Sequence, residues 1–301
     1  MLALLAIVTI LFLAAAAYWD LKTYEVPDWV SYGLLASATG IRALDSVSAS
    51  SWQPLIEGTA GLIVFLAASL VMYYSGQWGG GDVKLMWGLG MAIGLPLSAQ
   101  KPFVDIFSWP LLLVFWLNML FLGAIWGISW LLAYSMKSRS RIRREFRARL
   151  QKYSRIRIAL LALFLPVAIA SYVMRFNFAA MALLGLYLII ALLFYIVIYV
   201  RAVEHTHLYK WKKPKELTEG DWIARKVVVG GKVITGPREL GIEKGTISKL
   251  VRLSKQRKID RVLVKQGIPF TPVFLIAYAA LLLFGNWLFY ITATSAFVLK
   301  P

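Results

Sequence analysis

The sequence has no cysteine, only two histidines, and fewer than half as many acids as bases, 15 against 33 in 301 residues. The missing thiols exclude disulfides, cysteine nucleophiles and every Cys-ligated metal site. His205 and His207 are too few for a histidine metal centre, so neither a metal nor any other cofactor is expected. Charge of any kind is scarce as well, at 16% of residues. What fills the chain instead is apolar: 59% of residues are hydrophobic and the mean hydropathy is +0.68, against roughly 45–50% apolar residues in soluble proteins. The bilayer is the expected solvent. A formal charge of +18 then has to lie outside the hydrocarbon, where cytoplasmic loops and anionic lipid head groups favour it. Nucleic acid would also attract that charge, but the apolar runs need a membrane whatever the basic loops touch. Membrane lipids, and not nucleic acid, are the expected contacts. Residues 1–19 carry no basic stretch ahead of their apolar run and read as a retained helix rather than a cleaved signal.

A helix rises about 1.5 Å per residue, so about 20 apolar residues cross a bilayer core of about 30 Å. Eight segments approach this length: 2–19, 29–44, 54–74, 83–98, 109–134, 158–174, 178–200 and 270–291. The expected fold is all-α and polytopic, with about eight transmembrane helices and a small cytoplasmic α+β insert before the last. Five regions follow: a membrane core at 1–134, a basic cytoplasmic loop at 135–157, a helix pair at 158–200, a small basic cytoplasmic domain at 201–267, and a final membrane helix within 268–301. In the insert, Val227–Val229 and Lys232–Ile234 read as two short strands around Gly230-Gly231, and residues 245–258 as a basic helix.

Ten bases against one acid occupy residues 135–157, and seventeen bases against seven acids occupy 201–267. Short Lys- and Arg-rich loops stay in the cytoplasm, and two spans separate these regions, so both are expected inside. Counting spans backwards puts residues 20–28 and 75–82 inside as well. Asp20 ends the first span and Asp82 begins the fourth; both carboxyls therefore emerge on the cytoplasmic side at similar depth.

Ionisable groups at membrane depth are costly and tend to mark function. Four acids qualify: Asp20, Glu25, Asp28 and Asp82. Glu25 and Asp28 fit solvated loop acids, Asp28 also fitting a helix N-cap ahead of an apolar run. Asp82 follows Gly79, Gly80 and Gly81, where close backbone approach and a helix N-terminus suit a carboxylate. An ordinary glycine loop with an N-terminal Asp and a catalytic Asp both fit that pattern. Lys22 and Lys84 fit lysines whose stems lie along the span ends.

Gly79-Gly80-Gly81-Asp82-Val83-Lys84 resembles the GxGDxK signature of the type IV prepilin peptidase and archaeal preflagellin peptidase family, the GxGD membrane aspartyl proteases. Asp20-Leu21-Lys22-Thr23 with Val26-Pro27-Asp28 resembles the same family's first motif. The resemblance covers about residues 1–130. It implies a catalytic pair, Asp20 and Asp82, supported by the motif residues Gly79, Gly80, Gly81 and Lys84, and substrates that are prepilin-like or preflagellin-like precursors with a short basic leader, cut at the cytoplasmic face of the plasma membrane. Glu25 and Asp28 would then attract the leader. Bifunctional bacterial members also methylate the new terminus and carry a cysteine-rich insert; this chain has neither cysteine nor insert and resembles the archaeal branch. Gly267 to Phe274, with Pro269 and Pro272, looks like the C-terminal extension of some archaeal members, and the prolines account for a break where the chain enters the bilayer. Two other readings compete: a presenilin-like protease cutting within spans, and a transporter with two functional acids on an ion path.

Overall fold

The computed structural model describes residues 1–96, 110–175, 177–237 and 241–285. Helices occupy the places of all eight apolar segments: α1 (Leu2–Thr23), α2 (Asp28–Ser48), α3 (Gln53–Tyr74), α4 (Gly80–Ile93), α5 (Leu111–Lys137), α7 (Ser154–Val173), α8 (Phe178–His207) and α10 (Thr271–Phe284). Five of them, α1, α3, α5, α7 and α8, are long and apolar enough to cross a membrane. The expected ends at 97–98, 109 and 286–291 lie outside the described residues.

The chain divides into two compact units. The first comprises residues 1–127, 212–262 and 266–301, and the second residues 128–211 and 263–265. In the first, Leu13 of α1, Leu34 of α2, Phe65 of α3, Leu85 and Leu89 of α4, Phe115 of α5 and Phe274 of α10 meet in one buried cluster. Lipid tails are as apolar as these side chains, so what holds such helices together is close packing rather than escape from water. The α3–α4 contact shows it. A side-chain carbon on Gly61 would run into the Gly90 carbonyl, and one on Gly90 would lie 2.6 Å from the Gly61 carbonyl.

Arg42 of α2 is buried among these helices, and its guanidinium donates to the carbonyls of Met91 (2.6 Å), Ala92 (3.0 Å), Ile93 (3.0 Å) and Pro54 (2.8 Å). Three of these belong to the last turn of α4, where carbonyls have no partner within their own helix and a cation is favoured. Gly94 ends α4 at φ 73°, a left-handed conformation that side chains disfavour.

Also in this unit, β3 (Val227–Val229) and β4 (Lys232–Thr235) pair antiparallel around Gly230 and Gly231, both at positive φ, as a tight primed turn requires. A 3-10 turn (Pro214–Glu216), β2 (Trp222–Ile223) and the basic helix α9 (Lys244–Lys255) complete the insert, α9 packing beside that turn. The strand pair and the helix stand where the sequence placed them. Lys212 bonds both oxygens of Asp221 at 3.0 and 2.9 Å.

In the second unit, residues 135–157 are not merely a loop. Arg139–Lys152 form helix α6. Its buried Ile142 and its Phe146, one turn on, pack against Tyr199, Ala202 and Val203 of α8, so spacing at i, i+4 anchors an otherwise charged helix. Glu145 joins Arg149 at 2.8 Å and His205 at 3.4 Å. Strands β1 (Tyr209–Lys212) and β5 (Val262–Lys265) lie side by side. On α7 and α8 most apolar side chains face outward.

Candidate active site

Asp20 lies in the final turns of α1, buried at 7% exposure. Its Oδ2 accepts two hydrogen bonds from Thr271, one from the backbone N–H at 2.9 Å and one from the hydroxyl at 3.0 Å. Thr271 opens α10, with Pro272 behind it, so its N–H is one of the four that a helix leaves unpaired at its start. The carboxyl of α1 thus caps α10 from outside.

Asp82 sits one turn into α4, and its Oδ2 accepts the Gly79 N–H at 3.2 Å. This bond ties the glycine run to the helix, as an acid at the third position of a capping box does. Asp20 and Asp82 are near enough for the charge of one to act on the other.

The two motifs meet at further points. A side-chain carbon on Gly81 would stand 3.1 Å from Cβ of Val26, so only glycine lets α4 press this closely on the Val26-Pro27-Asp28 turn. Gly80 has open space around it, and at Gly79 the nearest atom would be Oδ2 of Asp82 at an ordinary 3.7 Å. Lys84 Nζ bonds Asp28 Oδ1 at 2.6 Å and lies over the Tyr32 ring. Asp28 is the first residue of α2, the N-cap position falling to Pro27 with no side-chain cap; its carboxylate serves Lys84 instead of the helix end. Glu25 is exposed between α1 and α2. Lys22 donates to the Tyr18 hydroxyl at 3.3 Å along α1.

An aromatic wall stands behind the glycine loop. Trp78, just ahead of Gly79, is buried against Trp116, Phe270 and Phe274 with ring centres 5.9, 6.1 and 5.5 Å away, and Trp126 Nε1 donates to the Pro269 carbonyl at 2.8 Å. These contacts fix the start of α10 beside the start of α4. Among the described residues, no group of three or more His, Asp or Glu is arranged to hold a metal ion. His205 pairs with Glu145 and His207 stacks on Tyr134 at 4.9 Å.

Residues 7–128 match the model of the type IV leader peptidase family. Over this segment the chain is similar to that family. What the leader-peptidase match supports for the chain is a leader-peptidase-like protease embedded in the membrane by several helices. Both acidic motifs fall inside the matched segment, whereas Thr271 falls well beyond it. No curated protein sequence and no solved structure matches the chain. Thr271 is the site residue that sequence reasoning missed. A Thr-Pro pair ahead of an apolar run does signal a helix start, but no local signal says which distant carboxylate will occupy that start.

Proposed function

We propose that the chain is an aspartyl endopeptidase that removes the short basic leader of prepilin-like or preflagellin-like precursors at the cytoplasmic face of the membrane, with Asp20 and Asp82 as its catalytic pair. The observation that carries this reading is the meeting of the two motifs, Gly81 against Val26 and Lys84 on Asp28, with Asp20 and Asp82 within reach of each other's charge.

Two close carboxyls hold one proton between them more easily than they carry two charges. Soluble aspartic proteases run on such a shared proton, and the same chemistry applies here. The ionised member takes a proton from a water that attacks the scissile carbonyl, and the protonated member hydrogen-bonds the carbonyl oxygen as it gains negative charge. Gly81 lets the backbone carrying Asp82 come up to the first motif, and Lys84 holds that approach through Asp28. The exposed Glu25, with Asp28 beside the Lys84 ammonium, offers the basic leader an acidic approach. Without cysteine or a cysteine-rich insert, the product is the trimmed precursor and not a methylated one.

The test is processing of a precursor with a basic leader in membranes containing wild-type, Asp20→Asn or Asp82→Asn protein. Either substitution removes the shared proton's partner and is expected to abolish leader removal, read as loss of the shorter product on a gel. Wild-type processing by either variant overturns the assignment.

A further inference from the structure

The start of α10 does more than end a loop. Thr271 is fully buried, and it directs both of its donors at a single oxygen of Asp20, 2.9 and 3.0 Å away. A buried carboxyl that turned freely about its last bond would present either oxygen, or neither, to a reacting water. Two donors from one residue, one of them part of a helix backbone, fix that rotation. The backbone N–H also brings the favourable field of a helix N-terminus to the carboxylate. The helix is itself held: Phe270 packs on Trp78 at 6.1 Å and on Phe274 at 5.4 Å, and Pro269 receives the Trp126 indole. The clamp is therefore braced against the very loop that carries Asp82.

We infer that Thr271 is a positioning residue for proteolysis, fixing the orientation of the Asp20 carboxyl through its Oδ2. This assignment rests on the proposed Asp20–Asp82 pair and extends it to a residue outside the family-matched segment. It makes α10 part of the catalytic apparatus rather than only a membrane helix.

The experiment compares Thr271→Val, which keeps shape and loses the hydroxyl, with Thr271→Ser, which keeps the hydroxyl, and Thr271→Ala as a smaller variant. Each purified full-length protein is assayed on a basic-leader precursor, and its thermal midpoint is read in parallel. The valine and alanine variants are expected to lose at least about tenfold in kcat, the size associated with one misplaced catalytic group, with KM within about twofold because the leader's contacts are untouched. Serine is expected to restore kcat to within about threefold of wild type. Wild-type kcat in the valine variant overturns the inference, as does a serine variant as slow as valine. Failure of both the valine and alanine variants to fold, with no kcat loss separable from unfolding, makes Thr271 structural and overturns it too. Asp20→Asn in the same assay separates the two claims: an active Asp20→Asn protein sinks the pair itself, whereas an inactive one beside a fully active Thr271→Val sinks only the clamp.

Discussion

Gly81 is the member of the glycine run that has no room for a side chain. Its neighbour across the motif boundary is Val26, which is half-buried and part of the packed core. Gly81→Val is expected to push α4 off the Val26-Pro27 turn and reduce leader removal at least about tenfold, since a misplacement of about 1 Å is enough for a much larger loss. Gly80→Ala, at a position with open space around it, is expected to process precursor at close to the wild-type rate; parity between the two variants would show that spacing at Gly81 is immaterial. Lys84 and Asp28 form a partly exposed pair, and such pairs contribute about 0–1 kcal/mol to stability, so their effect is expected in processing and not in the melting temperature. Reversing charge at Glu25 and Asp28 together is expected to slow cleavage of a basic leader more than that of a neutralised one, measured as the ratio of the two rates; an unchanged ratio removes these acids from leader attraction. At this scale much was legible. Asp20 and Asp82 stand out in sequence because charge is rare among apolar residues, and Gly81 because glycine precedes one of them. The pairing of Asp28 with Lys84 was not, because it depends on α2 and α4 crossing.

Arg42 joins α2 to the last turn of α4 through bonds that no other residue type at that position would make, a charged fork meeting three helix carbonyls. Arg42→Met is expected to leave those carbonyls buried without a donor and to destabilise the protein by about 3 kcal/mol, the scale of losing charged hydrogen bonds, seen as a lowered midpoint in detergent. A midpoint equal to wild type would show that the carbonyls find other partners. Helix α6 shows where sequence reasoning stops. Its ten-base neighbourhood reads as a loop because like charges oppose a compact helix, yet Ile142 and Phe146 find an apolar seat on α8 and Glu145 neutralises Arg149. Tertiary contact overrode local preference. In the insert the opposite held: the Gly230-Gly231 turn and the β-branched residues beside it are local signals, so the β3–β4 pair followed from sequence alone.

For the whole molecule, the expected sidedness of the charged loops is open to direct measurement. The chain contains no cysteine, so single cysteines report position without interference. Ala49→Cys is expected to react with a membrane-impermeant maleimide in intact cells, and Ser140→Cys and Gln256→Cys only after the membrane is opened; all three positions are solvent-exposed. The reverse pattern would turn the topology over and place the acids on the far side. The span count itself draws on helix lengths that sequence reads well for α1, α3, α5, α7 and α8 and poorly for α2, α4 and α10, whose ends are set by packing, by glycine and by proline rather than by apolar length.

Asp20 and Thr271 are 251 residues apart in the chain, so a ribosome has long since released the first acid into the bilayer before its clamp is made. Until α10 arrives, the growing chain holds both carboxyls without the Thr271 bonds to Asp20.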